Sequence, residues 1–577
     1  MSTIDKDAIA DTLEQIAALL ELKGENAFRV RAFRGAARTV GALPGTVSAS
    51  LDDGTLAAAK GVGPATLQVV QELVTSGHST MLEELRTQVP PGLVEMLQLP
   101  GLGVSKVRQI QETLHIETIA ELETAARDGS LAALPRFGAR TAANVLSSID
   151  FLRRSSAYRL CHHAAAEAAA LAATLAALPG VDRVVTAGDV RRRMEVAQGL
   201  SFVVIGETPP AEFFKRLAAI PGIVEFSGHD ERRVTLRQHG GSLAQVIVTA
   251  PANAGAVLVR ATGSDAHLAA LEAHARSVGH TLDGAALWHG STFVPTPDEA
   301  TFYRALGLAE IPPELREGDG EIAAARDAAL PSLVTRADLR GFLHCHSNWS
   351  DGTTAIEEMA LACKAAGYSY VGLTDHSQAA AYAGGLKPDA LARQSDEIDA
   401  LNARLTGIRI LKGIEADILA DGALDYPAAV LDRLDFVIGS VHSRFQMGRD
   451  EMTARMLRAL DDPHLTIVGH PTGRLLLARE AYAVDLDALI EKAALVGAAI
   501  EINADPHRLD LDWRMLRKAK AAGLTISIGA DAHDVGGIGN MEWGVGIARK
   551  GWLTASDILN TRSADDLLAF ARARRGP

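Results

Sequence analysis

The spacing of apolar and polar positions changes character three times along the chain. From residue 1 to about 150, apolar residues recur at helical spacing in stretches broken by Gly and Pro, which predicts short amphipathic helices. From about 150 to 315 an Ala-rich helix precedes alternating runs, VDRVVTAGDV, LSFVVIGE, ERRVTLRQ and AQVIVTA, that read as strands of an α+β module. A polar, Pro-containing stretch from Ile311 to Pro331 then marks a linker, set at 316–335, whose last half has helical character. Beyond it strand and helix alternate seven times, with strand segments GFLHCHSNWSDG, YVGLTDHS, ILKGIEADI, FVIGSVHSRF, LTIVGHPTGR, AAIEINADP and TISIGADAH. Repeated βα units require right-handed crossovers and close a parallel sheet, and such barrels gather functional groups on the loops after their strands. The expected domains are 1–80 and 81–150, both helical, then 151–315, the linker, and a barrel over 336–577.

A chain of 577 residues is too long for one core, and 47% apolar content is ample for several. Met1 to Glu14 is charged and amphipathic, unlike a secretory signal. The weakly polar run Ala164 to Leu178 contains Glu167 and ends at Pro179 and Gly180, too short and too polar to cross a bilayer. Cys161, Cys345 and Cys363 form no CxxC pair, which suits a reducing compartment. A cytoplasmic monomer without a membrane partner is expected. The net charge of -14 argues against an extended grip on nucleic acid, so any such contact must be local. The best basic cluster is Arg29, Arg31, Arg34 and Arg38 in NAFRVRAFRGAARTV, three of which share helical spacing.

One motif occurs three times: AKGVGPATLQVVQEL from Ala59, LPGLGVSKVRQIQETL from Leu99 and LPRFGARTAANVLSSI from Leu134. Each resembles a helix-hairpin-helix. Its Gly-containing turn, carried by Gly61 and Gly63, Gly101 and Gly103, or Gly138, lets the backbone approach a phosphate, and the next helix offers free N–H groups. Contacts of this kind hold DNA without reading its sequence.

The ends of the C-terminal strands carry His344 and His346, Asp351, His376, Glu415, His442, His470, and Asp531 and His533. Residues at i and i+2 on a strand share a face, so His344 with His346, and Asp531 with His533, can reach one centre while Cys345 and Ala532 turn away. A lone histidine is most often an ordinary hydrogen-bonded imidazole, but six of them after strands of one domain, with carboxylates at matching places, form a metal-ligand set. Imidazole and carboxylate without thiolate suit Zn, Mn or Fe, and nine ligands imply two or three divalent ions.

The motifs HCHSNWSDG, TDHS, GIE, SVHS, GHP and GADAH resemble those of the polymerase and histidinol phosphatase (PHP) superfamily. That resemblance implies a distorted (β/α)7 barrel. It implies one ion on His344, His346, Glu415 and Asp531, a second on Glu415, His442 and His470, and a third on Asp351, His376 and His533. Glu415, Asp531, His533 and Arg474 would form the catalytic set, Mn²⁺ or Zn²⁺ being the expected metal, and Arg444 would be a second phosphate contact. The rest of the chain resembles family X DNA polymerases through NAFRVRAFRGAARTV, the hairpins, TGS at Thr262 to Ser264, and LGLAEIPPELREGDGEI from Leu306.

A family X palm needs a Gly-Ser turn and three carboxylates for two catalytic ions. Here AGDVRRRMEVAQGLSFVV keeps Gly188, Arg191, Arg192 and Glu195, but Asp189 replaces the Ser, and the carboxylate positions fall on Gly199, Ser201 and Gln245. The lysine of the family's lyase activity falls on Val69, with Lys60 a poor substitute. The expected function is DNA-repair phosphoesterase chemistry at gapped, nicked or damaged 3′ ends, with an inactive polymerase-like module that binds dNTP weakly. The competing expectations are a gap-filling family X polymerase with an accessory nuclease, a small-molecule phosphatase resembling histidinol phosphatase, and a noncatalytic scaffold for DNA ends.

Overall fold

The computed structural model describes residues 6–41, 43, 47–97, 99, 101–155, 157–220, 222–238, 242–284 and 286–576. The chain divides into two compact units, Met1–Ala157 and Tyr158–Pro577. Among the described residues no helix is long and apolar enough to cross a membrane.

The first unit is helical. The two helical domains expected here share one core, in which Leu13, Phe33, Val70, Met96, Val107 and Ile149 are all buried. Each repeated motif ends in a helix, Pro64–Ser76, Val104–Leu114 or Ala139–Ser155. Gly61 and Gly101 take left-handed backbone in the first two turns, and Arg136 takes that place in the third. A side chain at Gly63, Gly101, Gly103 or Gly138 would meet nothing within 4 Å, so these turns present open backbone. Val69 is buried in this core.

In the second unit a five-stranded sheet runs in the order Arg183–Thr186, Leu200–Ile205, Leu243–Thr249, Arg233–Gln238, Ile223–Asp230. The last strand has no clean alternation and escaped the sequence reading. The sheet packs Phe202, Val204 and Val246 against Ala164 and Leu175 of the helix Cys161–Ala176. The stretch after it, expected to be a linker over 316–335, is instead packed structure. Arg316 is 0% exposed and donates to Glu299 at 2.6 Å and twice to the Ile311 carbonyl. Glu321, at the start of the short helix Glu321–Arg326, accepts from His267 at 2.5 Å. Its polar residues are buried in pairs, which composition alone cannot reveal.

The barrel strands are β1 (Gly341–Cys345), β2 (Tyr370–Leu373), β3 (Arg409–Lys412), β4 (Glu415–Asp417), β5 (Ile438–Ser440), β6 (Ile467–Val468), β7 (Ala499–Asn503) and β8 (Thr525–Ala532). All pairings are parallel, in the order β3-β2-β1-β8-β7-β6-β5-β4. The segment ILKGIEADI, read as one strand, is split: β3 pairs with β2, and β4 pairs with β5. Gly413 lies at the split, where a Cβ would come 2.6 Å from the Leu373 carbonyl and 2.7 Å from the Phe436 ring. One backbone thus serves both edges of the sheet, and His376 bridges to Glu415 beside the break.

Removing Arg316 strands a buried carboxylate. Arg316→Ala is expected to lose about 3–5 kcal/mol of stability, read as a lower denaturant midpoint; an unchanged midpoint would show that Arg191 alone satisfies Glu299.

Candidate metal centre

The nine residues singled out by sequence converge at the strand ends of the barrel. Two of them get there by a route that plain strand alternation does not provide. His344 and Asp531 have φ of 59° and 51°, and the β1–β8 register shifts between Leu343 and Cys345. A bulge therefore turns these side chains inward, while Cys345 joins the hydrophobic core. Gly529 makes room for this: a Cβ there would strike Glu501 and lie 2.9 Å from His344 Cβ.

Glu415, 1% exposed, stands among five imidazoles. Its oxygens lie 3.0 Å from His470 Nε2 and His376 Nδ1, 3.3 Å from His442 Nε2, 3.4 Å from His344 Nε2 and 3.7 Å from His346 Nε2. Asp531 Oδ1 lies 3.2 Å from His346 Nε2 and 3.6 Å from His344 Nε2. Asp351 Oδ2 is 3.5 Å from both His376 Nε2 and His533 Nε2. Three groups have ligand atoms within 4.8 Å of one another: His344, His346 and Asp531; His376, Glu415 and His442; and His346, Asp351, His376 and His533. His346 and His376 each belong to two of these groups, a sharing that the family pattern did not imply.

The donor chemistry fits cations. Nε2 of His344, both ring nitrogens of His346, Nδ1 of His376 and Oε2 of Glu415 are buried without a hydrogen-bond partner. Buried polar atoms are otherwise costly to leave unpaired.

Sequence reasoning missed the groups that aim these side chains. Glu501 accepts from His344 Nδ1 at 2.5 Å and from the His470 backbone N–H at 2.8 Å. Asp417 accepts from His442 Nδ1 at 2.7 Å, and Asn503 donates to Asp531 at 3.1 Å. Asp375 accepts from Ser347 Oγ at 2.6 Å and from Gln394 at 2.6 Å, fixing the loop after β1. Such partners set the ring orientation and basicity of metal-binding histidines. Their signal in the sequence was acidic residues inside apolar strands, Glu501 in AIEIN and Asp417 two residues after Glu415.

Burial opposes charge on His376, yet Glu415 and Asp351 override it and lift its pKa to about 10. His442, facing Glu415 and Asp417, and His533, facing Asp351 and Asp531, rise against burial to about 9. Burial would raise Glu415 and Asp531, but neighbouring imidazoles hold both well below the usual carboxylate range. For His346 burial prevails and lowers the pKa. Cations entering this cluster must displace protons from imidazolium, so affinity falls as pH falls.

Of the two expected phosphate contacts, one is engaged elsewhere. Arg474 does not offer a free guanidinium: it donates to the Arg508 carbonyl at 2.9 Å, to the Leu509 carbonyl and to Asp512 at 3.0 Å. Arg444 is exposed. The cation that reaches the carboxylates is Arg508, 3.4 Å from Asp531 Oδ2, and the sequence reading passed over it. Tyr382, 74% exposed, stands at the rim with its ring 6.4 Å from that of His376.

In the helical unit Arg29, Arg31, Arg34 and Arg38 lie on the helix Ala27–Gly41. Arg34 is engaged by Glu21 at 2.5 Å and Glu14 at 3.7 Å, and Arg29 by Glu25 at 3.6 Å. These partners reduce the charge available to a phosphate. Arg31 stacks 4.6 Å over the exposed ring of Phe28.

Comparison with known proteins agrees with this layout. Family models match for a helix-hairpin-helix domain at 4–79, a SAM-like helix-hairpin-helix tandem at 93–151, a DNA polymerase beta thumb at 257–317 and a PHP domain at 343–505. The "DNA polymerase/3'-5' exonuclease PolX" of Bacillus subtilis is 36% identical over 571 residues, covering 98% of this chain and 99% of the relative. A "Probable phosphatase" of Shewanella oneidensis is 29% identical over 177 residues, 29% of this chain and 68% of the relative. A similarly named protein of Thermoanaerobacter sp. is 29% identical over 171 residues, 28% of this chain and 67% of the relative.

Two outcomes are expected from calorimetric Mn²⁺ titration of metal-free protein. Binding at pH 7 releases protons, visible as a dependence of heat on buffer ionisation enthalpy, and tightens between pH 6 and pH 8. Glu501→Gln weakens it about 10–100-fold; wild-type affinity in that variant would mean that Glu501 does not tune the ligands.

Proposed function

The chain belongs to the family X DNA polymerases with helix-hairpin-helix motifs, a polymerase beta thumb and a C-terminal PHP domain, and on that footing we propose a metal-dependent phosphoesterase acting on DNA ends. Its substrate is the 3′ side of gapped, nicked or damaged DNA, from which it removes nucleotides or blocking phosphates. The ring of imidazoles around Glu415, beside Asp531 and Asp351, carries this reading. The full-length relative named as a polymerase and 3′-5′ exonuclease supports DNA as the substrate and the 3′-to-5′ polarity. The relatives named as phosphatases align over about a third of this chain or less, which leaves its hairpin motifs to a nucleic acid and argues against a small-molecule phosphatase.

His344, His346, Glu415 and Asp531 would hold one divalent ion, Mn²⁺ or Zn²⁺, with Glu415, His442 and His470, and Asp351, His376 and His533, holding up to two more. Bound ions neutralise phosphate oxygens and acidify water near neutral pH. The protein supplies the geometry. Glu501 and Asp417 leave Nε2 of His344 and His442 facing the cluster. Arg508 stands at the Asp531 edge, where its remaining N–H groups suit a phosphate oxygen.

Nucleotidyl transfer has lost its carboxylates. Ser201 lies opposite Gln245 in the parallel pairing, and Gly199 precedes that strand. Asp189, at the Ser position of the motif, accepts from Arg192 at 2.6 Å and from the Gln198 backbone N–H at 3.3 Å. A cavity of about 770 Å³ beside Gln245, lined by Arg232, Arg233, Arg260, Trp288 and Phe293, has room for a nucleotide, which it would hold weakly.

The test is a primer-template labelled at the primer 5′ end, incubated with Mn²⁺ and dNTPs. Wild type is expected to shorten the primer without extending it, and His344→Ala and Asp531→Ala to lose about 10³-fold or more of that rate. Extension that survives both substitutions would move the activity to the polymerase-like half.

A further inference from the structure

We infer that Glu195, in the polymerase-like half, is a positioning residue for the phosphoesterase centre, acting through Arg474 on Arg508. The inference rests on the phosphoesterase reading above. Glu195 survives in a motif whose carboxylates for nucleotidyl transfer are gone, and its side chain points to the barrel. It is 4% exposed and accepts from Trp513 Nε1 at 3.1 Å and from Arg514 at 3.0 Å. Arg474 Nη2 lies 3.6 Å from the same carboxylate. The Glu195 carbonyl accepts from the Cys161 backbone N–H at 3.1 Å, tying it to the sheet-covering helix of its own half.

Arg474 is the link. It grips the loop after β7 at three points, the carbonyls of Arg508 and Leu509 and the carboxylate of Asp512. Leu509 has φ of 42°, a left-handed conformation that a branched side chain holds only under such constraint. The Arg508 side chain leaves this clamped backbone and reaches within 3.4 Å of Asp531 Oδ2. Asp510 of the same loop accepts from the Thr472 backbone N–H at 2.9 Å, two residues after His470. Loop position and cluster geometry are therefore set together.

Two arginines share two carboxylates at this junction. Arg514 already contacts both oxygens of Asp512, at 2.9 and 3.0 Å. Without the charge of Glu195, Arg474 and Arg514 must both be neutralised by Asp512, and the grip on the two carbonyls loosens. A guanidinium displaced by about 1 Å loses much of its value to a phosphate in the transition state.

The experiment is a double-mutant cycle in the full-length protein with Mn²⁺, using single-turnover cleavage of a 5′-labelled primer-template. Glu195→Gln keeps the shape and removes the charge. It is expected to slow cleavage about 10-fold at unchanged Mn²⁺ content and DNA affinity, Arg508→Ala about 100-fold, and the double variant no more than Arg508→Ala alone. Losses that multiply in the double variant, or a wild-type rate in Glu195→Gln, overturn the coupling. A wild-type rate in Arg508→Ala overturns it at the Arg508 end, whereas cleavage that survives Asp531→Ala overturns the phosphoesterase reading itself. Should Glu195→Gln fail to fold by thermal melting, Arg474→Lys serves instead: it keeps the charge but cannot reach both carbonyls, and the same non-additive loss is expected.

Discussion

The barrel half of the protein is organised around one buried carboxylate. Glu415 has five imidazoles within ion-pair range and almost no solvent, an arrangement that water cannot relieve. Its position depends on the split between β3 and β4, which lets a single segment complete the sheet from both sides and leaves Glu415 first after the break. Glycine at 413 permits that close approach, and glycine at 529 permits the meeting of His344 with Glu501. The cost of gathering so much charge is met by a surrounding layer of Glu501, Asp417, Asn503 and Asp375, each hydrogen-bonded toward the cluster or the loop after β1.

The polymerase-like half is held against the barrel through one turn. Arg191 pairs with Glu299, Arg192 with Asp189 and Glu317, and Arg193 stacks over Trp543 of the barrel half. Lys550, buried on the barrel side, binds Glu317 and the Arg192 carbonyl. The turn from Gly188 to Arg193 is thus engaged in ion pairs, two of which lie against the neighbouring barrel. Pairs of this kind are weak sources of stability but sharp sources of geometry, because breaking one leaves a buried charge.

Much of this was legible in the sequence. The nine candidate ligands follow apolar strand runs, and that spacing was enough to place them near one end of one sheet. The three hairpin turns were readable from their glycines, although Arg136 shows that the left-handed position does not require glycine. What escaped has physical causes. The bulges at His344 and Asp531 leave no mark in a two-residue alternation, and the register shift appears only once β1 and β8 are paired. Glu501 stands out as an acid inside an apolar strand, but its purpose shows only once its partner 157 positions away is known. Arg474 follows a ligand motif and invited a phosphate role, whereas its donors are taken by backbone carbonyls from a distant loop. The linker reading failed for the same reason, since Arg316 and Glu321 find their partners through the fold.

Phosphoesterase action at a DNA end requires that the cluster around Glu415 hold the catalytic ions. Anomalous diffraction at the manganese edge, from crystals soaked in Mn²⁺ with a short DNA end, tests it most directly. Two or three peaks are expected among Glu415, Asp531, Asp351 and their imidazoles, with a phosphate oxygen against one of them and Arg508 beside it. A cluster without anomalous signal, in protein that still shortens DNA under the same Mn²⁺, would contradict it.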